Sequence, residues 1–237
     1  MIGKSSIQRY ILYAVGEIAL VVVGILLALQ INNWSESQKD RELEMHLLNE
    51  ISGTLEDNIN SLGSIILELE EKITSNQIVL SVLDNQSEFA DTLAEHFFRA
   101  SWLEVTRLTA ALSNEGYEYL KNQGFELIQN TDLRKTIIRI FEKDIPVYVS
   151  GSTTYENRSY HSVERLRELF YGTQVGIDDP VEWYPFDHKV TLKDKYYYSM
   201  INGFFTFRKI HLNRSKELKT VIEELHQEVQ TELGNQY

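Results

Sequence analysis

Residues 13–34, YAVGEIALVVVGILLALQINNW, constrain this chain more than any other stretch. From Tyr10 to Ile31 the apolar segment is 22 residues long, about 33 Å at helical rise. That length matches a hydrocarbon core of about 30 Å, so residues 10–33 are expected to form one transmembrane helix behind a short cytosolic tail at residues 1–9. A cleaved signal peptide fits less well, because Ala28-Leu29-Gln30 lacks the small residue needed at the cleavage position. Lys4 and Arg9 precede the segment without an acid nearby, whereas Lys39 and Arg41 behind it are outnumbered by Glu36, Asp40, Glu42 and Glu44. The positive side stays inside, which predicts a cytosolic N-terminus and a periplasmic body anchored in a bacterial inner membrane. Tyr10, Tyr13 and Trp34 fall where amphipathic rings settle at the two headgroup layers.

Glu17 lies inside the apolar run, seven residues after Tyr10 and so about 10 Å below the cytosolic edge. Heptad spacing through it defines the stripe Ala14, Glu17, Val21, Gly24, Ala28 and Ile31. Gly24 and Ala28 form a small-xxx-small pair that lets a second helix approach closely. An acid in lipid faces protein or water. The stripe is therefore expected to be the interface with a second copy of the chain or with another inner-membrane protein. Three roles for Glu17 stay open: a helix-bridging hydrogen-bonding group, the counterpart of a basic residue in a separate subunit, or an ion carrier in a larger assembly.

The run GEIALVVVGILLALQINNW resembles the N-terminal signature of an uncharacterised single-span membrane protein family of Bacteroidota, a domain of unknown function, with the resemblance close over residues 8–42. A looser similarity covers LSNEGYEYLKNQGFELIQNTDLRKTIIRIFEKDI, residues 112–145, through Tyr117, Leu120, Lys121, Gly124, Leu127, Ile128, Asn130 and Leu133. Gly116 stands where relatives often carry a small or hydroxylated residue before the aromatic, which weakens the helix start. The resemblance implies an inner-membrane protein with an outward helical body; no established activity comes with it.

The rest of the chain reads as all-α, an elongated helical bundle. No proline precedes Pro146, so long helices are permitted up to that point. Leu48, Ile51, Leu55, Ile59, Leu62, Ile66, Leu69 and Ile73 recur at spacings of three and four, the period of an amphipathic helix. Residues 34–90 are thus expected to form a long amphipathic helix or stalk, bent near Gly53 to Gly63 because each glycine weakens a helix by about 1 kcal/mol. Residues 91–237 are expected to form a helical bundle. Within it, helical spacing covers 92–112, Gly124 ends one helix, Asn130 caps another that reaches Ile145, and further helices cover 154–171 and 192 onward. The stretch 172–190 is the longest irregular segment, with two of the three prolines.

Aromatic residues concentrate in two of these helices. Phe97, Phe98 and Trp102 in one and Tyr197, Phe204 and Phe205 in the other either pack together as core or line an apolar groove for a ligand or peptide. The formal charge is −12; Lys4, Arg9 and Glu17 are the only charges before residue 34 and net to +1, so the body carries −13. An acidic body argues against nucleic acid, whose phosphates need a basic face. Cysteine is absent, which excludes disulfides, zinc-thiolate sites and thiol catalysis. No two histidines share the i, i+4 spacing of a helical zinc site. Glu42, His46 and Glu50 share a helix face, and Asp178, Asp179, Glu182, Asp187 and His188 crowd the irregular stretch, but neither has a metal-site pattern. No Gly-x-Ser-x-Gly nucleophile motif or phosphate-binding glycine loop occurs. The expectation is therefore a non-enzymatic protein without catalytic residues, metal or cofactor. Its role would be a membrane-anchored scaffold or accessory subunit of a cell-envelope complex. The alternatives are a ligand-binding or sensing module, or an ion-coupled subunit using Glu17.

Overall fold

The structure is a computed structural model describing residues 4–102, 112–151, 162–173 and 181–234, with the side chains of 4–15, 162 and 163 excepted. Helix α1, Lys4–Asn85, runs unbroken for 82 residues, about 120 Å. The expected bend at Gly53 to Gly63 is not there. Two glycines cost a helix about 2 kcal/mol together. On either side of them Leu48, Ile51, Leu55, Leu62 and Leu69 are buried, each contributing about 1.5–3 kcal/mol, so packing outweighs propensity.

The body adds α2 (Ala94–Ser101), α3 (Glu115–Gln123) and α4 (Thr131–Arg139), which passes through a π-helical turn at Ile140–Asp144 into helical residues 145–151. Then follow α5 (Ser162–Leu169), strands β1 (Phe170–Thr173) and β2 (Glu182–Pro185), the short α6 (His188–Lys193) and the long α7 (Lys195–Gly234). The architecture is all-α with one small antiparallel hairpin, in which Tyr171 pairs with Tyr184 and Gly172 with Trp183. This hairpin corrects the reading of a helix through Tyr171. The chain leaves the helix at Leu169, and Gly172 lets the Trp183 ring lie close, 3.2 Å from where a Cβ would sit. The parts of the expected helices at 103–111 and 152–161 lie outside the described residues.

Helices α1 and α7 run antiparallel and form the spine. Ser52 meets His226 and Gln230, and Asn76 meets Ile201 and Arg208. Along α1 one buried row runs through Glu44, Leu48, Ile51, Leu55, Asn58, Leu62, Ile65 and Leu69, steps of three and four. Along α7 the same alternation runs through Tyr197, Ile201, Phe204, Arg208, His211, Ser215, Leu218 and Ile222. Residues 44–85 of α1 are therefore a central element of the bundle.

The core has two parts. Nearer the apolar half of α1, aliphatic residues of α1 and α7 pack with Tyr117, Leu120, Leu133, Ile137 and Phe141 of α3 and α4. At the far end Val79, Leu83, Phe97, Phe170, Tyr197 and Phe204 form an aromatic cluster. Local signals place the connections. Gly124, at φ +112°, ends α3 in a region that favours glycine, and the Asn130 side chain caps α4 by accepting from the Leu133 N–H at 3.2 Å. Gly116 does more than start a helix. Its N–H donates to Thr54 Oγ1 at 2.9 Å, and a Cβ there would stand 2.4 Å from the Glu50 carbonyl oxygen, so only glycine lets α3 lie against α1.

Candidate functional site

The first half of α1 stands apart from the packed body. Every side chain from Gly16 to Asp40 is exposed, and Glu44 is the first buried one. Among the exposed are Ile18, Leu20, Val22, Leu26 and Leu27, and this part of the helix is long and apolar enough to cross a membrane. Of the expected stripe, Glu17, Val21, Gly24, Ala28 and Ile31 are all exposed, while the Ala14 side chain lies outside the described residues. Nothing lies within 4 Å of a Cβ built at Gly24. Among the described residues Glu17 has no hydrogen-bond or ion-pair partner.

Polar groups buried in the body are treated differently. Glu44, fully buried, accepts from the Gln129 N–H at 2.7 Å and from Arg41 at 3.4 Å. Asn58 makes a two-way contact with Ser113, donating to its carbonyl at 2.9 Å and accepting from its N–H at 2.7 Å. Between the two core clusters lies a polar belt. The Arg208 guanidinium donates to Asn76 Oδ1 at 2.5 Å, to the Ala100 carbonyl at 3.0 Å and to the Trp102 carbonyl at 2.7 Å, so a cation from α7 caps the C-terminus of α2. Beside it, the Tyr148 hydroxyl lies 3.2 Å from His211 Nε2 and 3.0 Å from Ser215 Oγ. Burial, with Arg214 nearby, pushes the His211 imidazole down to about 4, so it is neutral at pH 7. Burial raises the Tyr148 and Tyr197 hydroxyls above the ordinary phenol value, and Tyr197 is held 3.0 Å from Ser101 Oγ.

The six aromatic residues singled out in the sequence do not form one groove. Phe97, Tyr197 and Phe204 are buried in the far cluster, with Phe97 and Tyr197 stacked at 6°. Phe205 is half-buried, with Lys209 Nζ 5.3 Å from its ring centre. Phe98 and Trp102 instead border an open cleft of about 210 Å³, together with Glu68, Lys72, Glu95, Arg99 and Val181. Trp183 of β2 stands behind them, edge-on to Phe98 at 5.5 Å and to Trp102 at 6.1 Å. The reading of residues 172–190 as irregular left Trp183 out of the group. Of the acidic sets, His46 Nδ1 lies 3.9 Å from Glu50 Oε1, both side chains being exposed. Asp178 and Asp179 lie outside the described residues. Among the described residues, no three His, Asp or Glu side chains converge as metal ligands do.

The sequence model of a Family of unknown function (DUF6090) matches residues 17–96, from Glu17 through the rest of α1 to the first turn of α2. The chain is similar to that family over this part. No curated protein and no solved structure matches the chain.

Proposed function

We propose that this chain is a non-enzymatic, membrane-anchored helical scaffold or accessory subunit of a cell-envelope complex, assembling partly through its apolar helix with a second copy or another inner-membrane protein. In this reading the N-terminus is cytosolic, the body is periplasmic, and the chain shares the single-span character of the Bacteroidota membrane proteins it resembles. One observation carries the reading. Buried polar side chains of the α1–α7 seam are hydrogen-bonded within the chain, whereas Glu17, surrounded by exposed apolar residues, has no counterpart among the described residues. An acid in hydrocarbon is costly unless protein or water faces it, and Gly24 and Ala28 on the same stripe open a path for a close helix.

The test is the native mass of the full chain in mild detergent, beside its Glu17→Gln, Glu17→Ala and Gly24→Leu forms. A defined assembly that disperses in Glu17→Ala and Gly24→Leu supports the reading, with Glu17→Gln surviving if hydrogen bonding suffices. A monomer in the parent chain, or an assembly indifferent to all three changes, overturns it. Topology is tested separately, because the chain has no cysteine of its own. Ser35→Cys should react with a membrane-impermeant maleimide from the periplasmic side and Ser5→Cys should not; the reverse pattern refutes the orientation. A second reading, a ligand-binding body, is favoured by the open cleft at Phe98 and Trp102.

A further inference from the structure

We infer that the partner of the apolar helix is a second, parallel copy of this chain, and that the contact between the two α1 helices continues past the apolar half along the body to Leu67. This rests on the assembly reading above and names its partner. Glu17, Val21, Gly24, Ala28 and Ile31 mark one side of α1, and an α-helix returns to the same side after about five turns, or 18 residues. One such step on, that side carries Ser35, Lys39, Glu42, His46 and Asn49; a second step on, it carries Gly53, Asp57, Asn60, Ser64 and Leu67. All ten are exposed, while Leu47, Ile51, Leu55 and Leu62 on the opposite side are buried. The body therefore folds around α1 with the side that bears Glu17 left open. A third step closes it: Ser75 and Val82 are buried, with Ser75 Oγ 3.1 Å from His96 of α2.

The residues on this side suit a copy of themselves. Two chains inserted in the same direction hold equal residues at equal height, so each side chain meets its own counterpart near a two-fold axis. Leu67, 66% exposed, gains apolar cover from Leu67 of the second copy. Asn60, whose side chain has no partner among the described residues, meets another amide that both donates and accepts, the kind of pair that fixes register between parallel helices. Gly53, like Gly24, has nothing within 4 Å of a built Cβ, which lets the two helices close in. Lys39, Glu42 and Asp57 are the only Lys, Arg, Asp or Glu among the ten, so little like-charge repulsion opposes the pairing of two acidic bodies. One strip of a helix is small for a free protein dimer, but anchoring both copies in one bilayer supplies the effective concentration that a small contact needs.

The experiment uses the full chain, which has no cysteine, with one cysteine introduced at a time. Gly24→Cys probes the apolar half, Asn60→Cys and Ser64→Cys probe the open side of the body, and Asp132→Cys and Asn202→Cys, both exposed on other helices, report random collision. Membranes holding small amounts of each variant are oxidised with copper phenanthroline, and the disulfide-linked dimer is measured. Far-ultraviolet circular dichroism verifies that each variant retains its helices. The expected result is dimer from Gly24→Cys, Asn60→Cys and Ser64→Cys, each at least about tenfold above the two controls, with the Asn60→Cys product falling about tenfold when Leu67→Glu is added. Linking at Gly24 with Asn60 and Ser64 at the level of the controls overturns the continuation along the body and leaves assembly through the apolar helix standing. An Asn60→Cys product indifferent to Leu67→Glu also overturns it. No linking at any of the three positions removes the second copy as the partner altogether.

Discussion

The two halves of α1 are one helix in two surroundings. From Leu47 onward most of its apolar residues are covered and its inward polar residues, Asn58 and Asn76, each meet partners from elsewhere in the chain. From Gly16 to Asp40 the apolar residues are bare and the acid among them stands alone among the described residues. Burying a polar group without a partner costs several kcal/mol. The folded body meets that requirement internally, and the apolar half leaves it to whatever surrounds the helix. The difference teaches that continuity of a helix says nothing about what each part needs from its neighbours.

The contrast breaks most strongly at Gly116, where the body is tightest. Gly116→Ala forces a methyl group against the Glu50 carbonyl and is expected to destabilise the body by about 3 kcal/mol or more, read as a lowered urea midpoint. Next, Leu55→Ala empties a fully buried site and should cost about 3 kcal/mol. Leu27→Ala in the exposed half should shift the same midpoint by less than about 0.5 kcal/mol; comparable losses from the two changes would mean that both halves unfold as one packed unit.

The third prediction concerns the belt that α7 brings to the packed half. His211 is held down to about 4 from an ordinary 6.5, so the unfolded chain binds the proton more readily. Stability from this group is complete above about pH 6.5 and is lost as the pH falls toward 4. Between pH 7 and 5 the expected loss is about 2 kcal/mol, seen in unfolding midpoints and flattened in His211→Gln. An equal slope in that variant would remove His211 as the source. The one gain in stability belongs to Gly53, which has nothing within 4 Å of a built Cβ. Gly53→Ala should raise stability by about 0.5–1 kcal/mol; a loss would mean that this exposed face is packed against something.

Much of the helical architecture was legible because its signals are local. The three-and-four spacing of Leu48 through Leu69 reports a buried face wherever that face ends up, and Asn130 and Gly124 mark helix ends through hydrogen bonds and backbone angles within a few residues. The bend at the glycines was misread, since propensity was weighed without the packing that opposes it. Gly116 looked like a weakness, because the Glu50 carbonyl that requires a glycine is 66 residues away in sequence. In the same way, the grouping of Phe98 and Trp102 with Trp183, apart from buried Phe97 and Phe204, depends on how a distant hairpin returns to α2.

By itself, the sequence determined that the first α1 half holds an apolar run bearing one acid, that the body is helical and acidic, and where several helices stop. Those properties follow from composition, period and capping over neighbouring residues. Only the tertiary structure decided that α1 never breaks, that α7 supplies its antiparallel partner, and that Arg208 ties Asn76 to the end of α2. Each of these depends on groups more than a hundred residues apart or on a sum of contacts across the seam, and the free energy of such contacts exists only once the chain has folded.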